Sequence, residues 1–126
     1  MPLLVPVSVG ELFDKISILE LKRQAIADPG QRDNVERELA LLEDVRRREI
    51  PAIAGLQPLF AELGEVNRRL WDTEDRLRAC EREGQFDAQF VALARSVYRD
   101  NDRRSAIKRR INELTGSDII EEKSYL

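Results

Sequence analysis

Four stretches of the chain place apolar residues three and four positions apart, and proline or glycine separates each stretch from the next. This spacing puts the apolar side chains on one face of an α-helix. Ser8 and Glu11 begin the first stretch in the S-x-x-E pattern of a helix capping box, while Pro51 and Gly84 stop the second and third. The pattern predicts four helices, at about residues 8–27, 33–49, 58–83 and 87–115.

The connections between these helices are short, which favours antiparallel neighbours. Residues 28–30 (Asp-Pro-Gly) are typical of a turn, and two prolines oppose helix formation in residues 1–7. A chain of 126 residues can bury one modest core. We therefore expect a single all-α domain over residues 1–126, an antiparallel up-down four-helix bundle with an extended N-terminal lead-in and a short C-terminal tail.

Several classes of function are disfavoured by composition. The chain has no histidine, the commonest general base and metal ligand, so we expect no metal site and no cofactor. Cys80 is the only cysteine, which excludes an internal disulfide. The formal net charge of -3 disfavours nucleic-acid binding. No apolar run reaches the roughly 20 residues of a membrane span, and no signal peptide is recognisable, so we expect a cytoplasmic protein.

Polar residues interrupt the apolar faces of three predicted helices. Glu20 falls between Val9 and Phe13 in helical projection, and the fourth helix turns from apolar to polar along one face. Antiparallel pairing about Gly84 brings these positions to similar heights. We expect one polar layer inside the bundle, with Trp71 and Tyr98 at its edge. The candidate ligand-binding residues are Glu20, Asn67, Trp71, Glu74, Tyr98, Asn101, Arg104 and Lys108.

Two interpretations of this layer are open. It could be a structural ion-pair network that sets the register of the helices, because an unpaired buried charge costs several kcal/mol. It could instead line a pocket for a small polar ligand, in which the two cations favour an anion. A ligand-binding layer should open to solvent beside Trp71 or Tyr98, whereas a structural layer should be closed and fully paired.

Much of the chain resembles a small bacterial family, one of the domains of unknown function. The resemblance covers nearly the whole sequence and implies no known chemistry. Members of that family occur beside genes for cell-surface carbohydrate synthesis, so the resemblance implies an association with that process. The segments that carry it are 5–22 (VPVSVGELFDKISILELK), 70–78 (LWDTEDRLR), 90–112 (FVALARSVYRDNDRRSAIKRRIN) and 116–125 (GSDIIEEKSY).

A looser resemblance connects residues 12–20 (LFDKISILE) with the opening helix of the all-helical chorismate mutases. Inward arginine, lysine and glutamate would suit the dicarboxylate substrate of those enzymes. Phe13, however, stands where that helix carries an arginine for a substrate carboxylate. The resemblance implies a mutase-like enzyme as one alternative.

The leading expectation is a non-catalytic binding or accessory module whose polar inter-helix site takes a small anionic ligand. The alternatives are a small enzyme acting on an anionic metabolite and a protein-interaction scaffold with a structural polar layer. A protein partner or a homodimer is compatible with the tail, which is too apolar for a free end. Its apolar residues, expected to dock on the bundle or on a second copy, are Ile119, Ile120, Tyr125 and Leu126.

Overall fold

Four α-helices form the computed structural model, which describes residues 1–124. The helices are α1 (Val9–Ala25), α2 (Pro29–Glu49), α3 (Leu56–Glu83) and α4 (Ala88–Thr115). α3 and α4 run in opposite directions, because Glu62 pairs with Arg110 and Arg69 pairs with Asp100. α1 is likewise antiparallel to α4, because Gly10 contacts Asn112 and Asp14 contacts Arg104. The predicted all-α bundle is therefore confirmed.

The ends of the helices follow their capping residues. Ser8 caps α1, because its Oγ accepts a hydrogen bond from the Glu11 backbone N–H at 3.0 Å. Gly84 and Gly116 end α3 and α4 in the left-handed conformation, each with a φ of 66°. The predicted stops of these two helices are thus confirmed.

The start of α2 differs from the prediction. Asp28-Pro29-Gly30 is not a free turn: Asp28 is the N-cap of α2, and its carboxylate accepts from the backbone N–H of Gln31 at 2.9 Å. Pro29 occupies the first helical position, where its missing N–H costs nothing and its φ suits the helix. The helix therefore begins about one turn earlier than the sequence pattern predicts.

The shortest helix, α1, lies at the centre of the fold. It packs against each of the other three helices, whereas α2 packs on α1, and α3 and α4 pack on each other. Two apolar clusters result, one around Phe13 with α3 and α4 and one around Ile16 with α2. A third face of α1 carries polar residues and meets α3 and α4, which sets up the candidate site.

Helix length determines where the bundle opens. The 28 residues of α3 and of α4 extend roughly 42 Å at 1.5 Å per residue, whereas the 17 residues of α1 extend roughly 25 Å. The α3–α4 hairpin therefore continues beyond the C-terminal end of α1. The surface between α3 and α4 is left uncovered there.

Residues 1–7 and 117–124 lack regular secondary structure. Residues 1–7 are exposed, and residues 117–124, which we call the C-terminal strap, fold back along α4. Ile119 and Ile120, which we expect to dock, are 38% and 41% exposed and therefore partly covered, and charged side chains of the strap form its hydrogen bonds and ion pairs with the bundle. Tyr125 and Leu126 lie outside the described residues. Within residues 1–124, no helix is long and apolar enough to span a membrane.

Candidate functional site

Asp14 is a buried carboxylate at the junction of α1, α3 and α4, and only 2% of the residue is exposed. Its Oδ1 accepts a hydrogen bond from Asn67 Nδ2 at 2.9 Å, and its Oδ2 lies 3.1 Å from Nη2 of Arg104. The same Asn67 amide also donates to Ser17 Oγ at 3.2 Å. Among the described residues, no buried side-chain nitrogen or oxygen lacks a hydrogen-bond partner. The interior of the site is thus closed and paired.

Lys108 lies one helical turn beyond Arg104 and is surrounded by carboxylates. Its Nζ is 2.6 Å from Glu11 Oε2 and 3.8 Å from carboxylate oxygens of both Asp14 and Glu121. One ammonium therefore joins α1, α4 and the C-terminal strap. The three surrounding negative charges offset its positive charge in the structure as it stands.

The close approach of α1 and α4 depends on Gly10. Its backbone N–H donates to Asn112 Oδ1 at 2.6 Å, and a Cβ added at Gly10 would lie 2.6 Å from the carbonyl oxygen of Lys108. The two backbones can approach this closely only because Gly10 has no side chain. Asp14, one turn further along α1, is thereby brought against Arg104.

Two grooves open beside this interior. The first, which we call the Trp71 groove, has a volume of about 430 Å³ and lies between α3 and α4 where α1 ends. Its walls are largely apolar, with amide and charged groups among them. They include Ile18, Leu21, Asn67, Leu70, Trp71, Glu74, Asp75, Arg78, Val97, Asn101 and Arg104.

The second, which we call the Tyr98 groove, has a volume of about 720 Å³ and lies between α4 and the strap. The hydroxyl of Tyr98 has a lowered pKa because of a hydrogen bond with Arg95 and the charge of nearby Arg99. The groove's charged and polar walls include Tyr98, Asn101, Asp102, Arg104, Ser105, Lys108, Arg109, Glu121, Glu122 and Lys123.

Arg104 and Asn101 line both grooves. The Arg104 side chain is 31% exposed, although its Nη2 is held by Asp14 and its Nη1 lies 3.4 Å from Asn101 Oδ1. A fixed guanidinium is therefore presented to solvent at the point where the grooves meet.

The model of a family of unknown function, DUF6165, matches residues 3–126, which is nearly the whole sequence. The chain belongs to the DUF6165 family. No curated protein and no solved structure matches it. The family resemblance seen in the sequence is thus confirmed, whereas the resemblance of residues 12–20 to chorismate mutases has no support.

In this DUF6165 member, seven of the eight candidate residues line one or both grooves, and Glu20 does not. The sequence predicts Glu20 in the inner polar layer, but its charged neighbours are Glu43 and Arg46 of α2, together with Arg23. Six residues separate it from Asp14, which amounts to roughly 120° around the helix. Burial, followed by the charge of Glu43, raises the pKa of its carboxyl above the ordinary 4.5.

Glu74 also lies elsewhere than predicted. The sequence predicts Glu74 in the polar layer inside the bundle, but it is exposed at the wall of the Trp71 groove. The physical reason is again the length of α1, which ends near this height and leaves that face of α3 uncovered. Glu74 and Glu20 therefore do not join Asn67 in the interior.

Sequence reasoning missed the carboxylate at the centre. Gly10, Asp14 and Ser17 follow one another at helical spacing and form a stripe of small and polar residues on α1. Such a stripe resembles a solvent-facing surface, but here it meets α3 and α4. Glu11 and Glu121 were missed as well, since only the folded chain brings them to Lys108.

The strap carboxylate of Glu121 is held at both oxygens. Oε2 accepts from Ser8 Oγ at 2.9 Å and Oε1 accepts from Asn112 Nδ2 at 3.2 Å. Burial raises the pKa of Glu121, but these hydrogen bonds and the charge of Lys108 outweigh it, so the pKa lies below the ordinary 4.5.

Among the described residues, no group of histidine, cysteine and carboxylate side chains could hold a metal ion.

Proposed function

We propose that this protein is a non-catalytic binding module that takes a small anionic ligand in the Trp71 groove, with the anionic group against Arg104. The observation that carries the proposal is the state of that guanidinium. The buried Asp14 carboxylate holds it on its inner side, while the Arg104 side chain remains 31% exposed where the two grooves meet.

Anchoring makes Arg104 a better ligand group than a free surface arginine. A long side chain that is ordered only on binding loses conformational entropy, which reduces affinity. The contacts with Asp14 and Asn101 hold the Arg104 side chain in place before any ligand arrives. A planar guanidinium with several N–H donors also suits carboxylate and phosphate groups.

The rest of the Trp71 groove suits the remainder of a small ligand. Apolar surface from Leu70, Trp71 and Val97 lies beside the amides of Asn67 and Asn101. Ligand sites commonly combine apolar walls with a few polar groups that orient the ligand, and the volume of about 430 Å³ falls within their usual range.

The non-catalytic part of the proposal rests on the reactive groups. The chain has no histidine, and its single cysteine, Cys80, is buried on α3. Asp14, the carboxylate nearest Arg104, is already paired. We also propose an accessory role in cell-surface carbohydrate synthesis, which rests on the family resemblance alone. The proposed cytoplasmic location rests on the sequence features alone.

Trp71 provides the test, because it is the only tryptophan of the chain. The fluorescence emission of Trp71 should change saturably when pyrophosphate, citrate or a sugar phosphate is titrated into the protein. Arg104→Gln should raise the dissociation constant obtained from that titration at least tenfold. Arg110→Gln, which removes an exposed charge from the same helix but on a face outside both grooves, is the matched control. Emission that none of these anions changes, or an equal response from Arg104→Gln, would contradict the proposal.

A further inference from the structure

Three consecutive residues of the C-terminal strap hold it to the bundle. Glu121 contacts Ser8, Asn112 and Lys108 as described above. Glu122 Oε2 lies 3.1 Å from Arg109 Nη1, and Lys123 Nζ lies 2.7 Å from Asp102 Oδ1. Each contact therefore joins a charged strap residue to a polar or charged group.

These contacts give the strap a direction along α4. As the strap advances from 121 to 123, its partners on α4 recede from Asn112 through Arg109 to Asp102. The strap thus runs antiparallel to α4, towards Tyr98, and forms the outer wall of the Tyr98 groove.

The contacts of Glu122 and Lys123 involve groups that water and salt can reach, whereas Glu121 is held by the buried Ser8 and Asn112. The side chains of Arg109 and Glu122 are 48% and 74% exposed, and that of Asp102 is 59% exposed. Exposed ion pairs are weak and are screened by salt. Ile119 and Ile120 are 38% and 41% exposed and belong to neither apolar cluster of the bundle. The strap can therefore leave α4 while the apolar clusters of the bundle stay intact.

The carboxylate of Glu121 lies beside Lys108, where a second negative group of an anion bound at Arg104 would also be stabilised. Lys108 follows Arg104 by four residues, so both cations lie on the same face of α4 and line the Tyr98 groove. A ligand with more than one negative charge could reach from one cation to the other. The carboxylate of Glu121 already lies 3.8 Å from Lys108 Nζ.

We propose that the strap is an acidic lid on the Tyr98 side of the ligand site, and that a multiply charged anion displaces Glu121 from Lys108 and releases it. The inference rests on the proposed function for the position of the anion at Arg104. Because the coupling is reciprocal, an anion that loosens the strap must bind more tightly when the strap's carboxylates are removed.

The affinity arm of the test uses pyrophosphate and the emission of Trp71. Glu121→Gln should bind pyrophosphate at least threefold more tightly than the original protein. Glu62→Gln is the control, because it removes one exposed negative charge that pairs with Arg110 on another face of the bundle. An equal gain in both variants would mean that net charge alone is responsible, and would overturn the lid.

The second arm measures the ¹⁵N relaxation of the strap amides, residues 118–124, with and without pyrophosphate. Pyrophosphate should lower the order parameters of the strap and leave those of α1 unchanged. If Arg104→Gln abolishes binding but the order parameters of the strap are unchanged and Glu121→Gln binds no more tightly, the lid is wrong and the proposed function stands. If pyrophosphate, citrate and the sugar phosphate all fail to bind, both are wrong.

Discussion

Oδ2 of Asp14 lies 3.1 Å from Nη2 of Arg104, and this contact joins α1 to α4 at the place where both grooves begin. One partner is almost wholly buried and the other reaches solvent. The position of the exposed guanidinium is therefore set by a residue on a different helix. A change at Asp14 should alter both the stability of the bundle and the geometry of the candidate site.

The first prediction is that Asp14→Leu and Arg104→Leu interact in a double-mutant cycle. Arg104→Leu leaves the Asp14 carboxylate buried without its closest cation and should destabilise the protein by about 3 kcal/mol, at the low end of such losses because Asn67 still donates to Asp14. The double variant should be more stable than the sum of the single effects predicts, by at least about 1 kcal/mol. Denaturant melts of the four proteins measure this.

Glu20→Leu supplies the control for that cycle. Glu20 has its charged neighbours on α1 and α2, so its effect should add to that of Arg104→Leu within about 0.5 kcal/mol. If the Asp14 cycle were additive and the Glu20 cycle were not, the arrangement of carboxylates around Arg104 described above would be wrong.

Gly10→Ala should destabilise the bundle by roughly 1–3 kcal/mol, because the new methyl group would lie 2.6 Å from the Lys108 carbonyl oxygen and 2.9 Å from Asn112 Oδ1. A backbone carbonyl can yield only if the helices move apart. Gly64→Ala is the matched control: its nearest contact would be Ser17 Oγ at 3.9 Å, and alanine favours a helix over glycine by about 1 kcal/mol. Thermal melts should therefore shift in opposite directions, and a shift in the same direction would contradict the close-approach account.

The sequence predicts the four helices but not the residues at the centre of the site. The caps and apolar spacing predict four helices because those signals are local, as at Ser8 and Gly116. The composition of the site depends on which face of α1 meets which neighbour, and that is not local. Asp14 lies on the face that meets α4, whereas Glu20, roughly 120° away, lies towards α2.

Glu20→Gln should raise the free energy of unfolding at pH 7. Burial and the charge of Glu43 raise the pKa of Glu20 in the folded protein, so the ionised carboxylate disfavours folding at pH values above that pKa. The penalty disappears as the pH falls below 4.5, where the carboxyl is protonated in both states. The stability difference between variant and original protein should therefore shrink to zero on acidification. A difference that grows towards acid pH would contradict this sign.

Deletion of residues 117–126 should lower the melting temperature without changing the oligomeric state. The strap contacts its own bundle through Ser8, Asn112 and Arg109, so truncation removes the partners of these groups within one chain. The hydrogen bonds to the buried Ser8 and Asn112 and the exposed ion pair with Arg109 each contribute about 1 kcal/mol or less, and a total loss of about 1–2 kcal/mol should lower the melting temperature by roughly 3–10 °C for a domain of this size. Calorimetry measures the shift, and sedimentation velocity measures the mass of the particle. Conversion of a dimer to a monomer on truncation would show instead that the tail is exchanged with a second copy, while an unchanged melt would show that the strap contributes nothing to the fold.

Glu121→Gln within the full chain should reproduce part of the loss at pH 7. Its pKa is lowered in the folded protein, so the contribution of the carboxylate is present above pH 4.5 and is lost as the pH falls through the folded-state pKa.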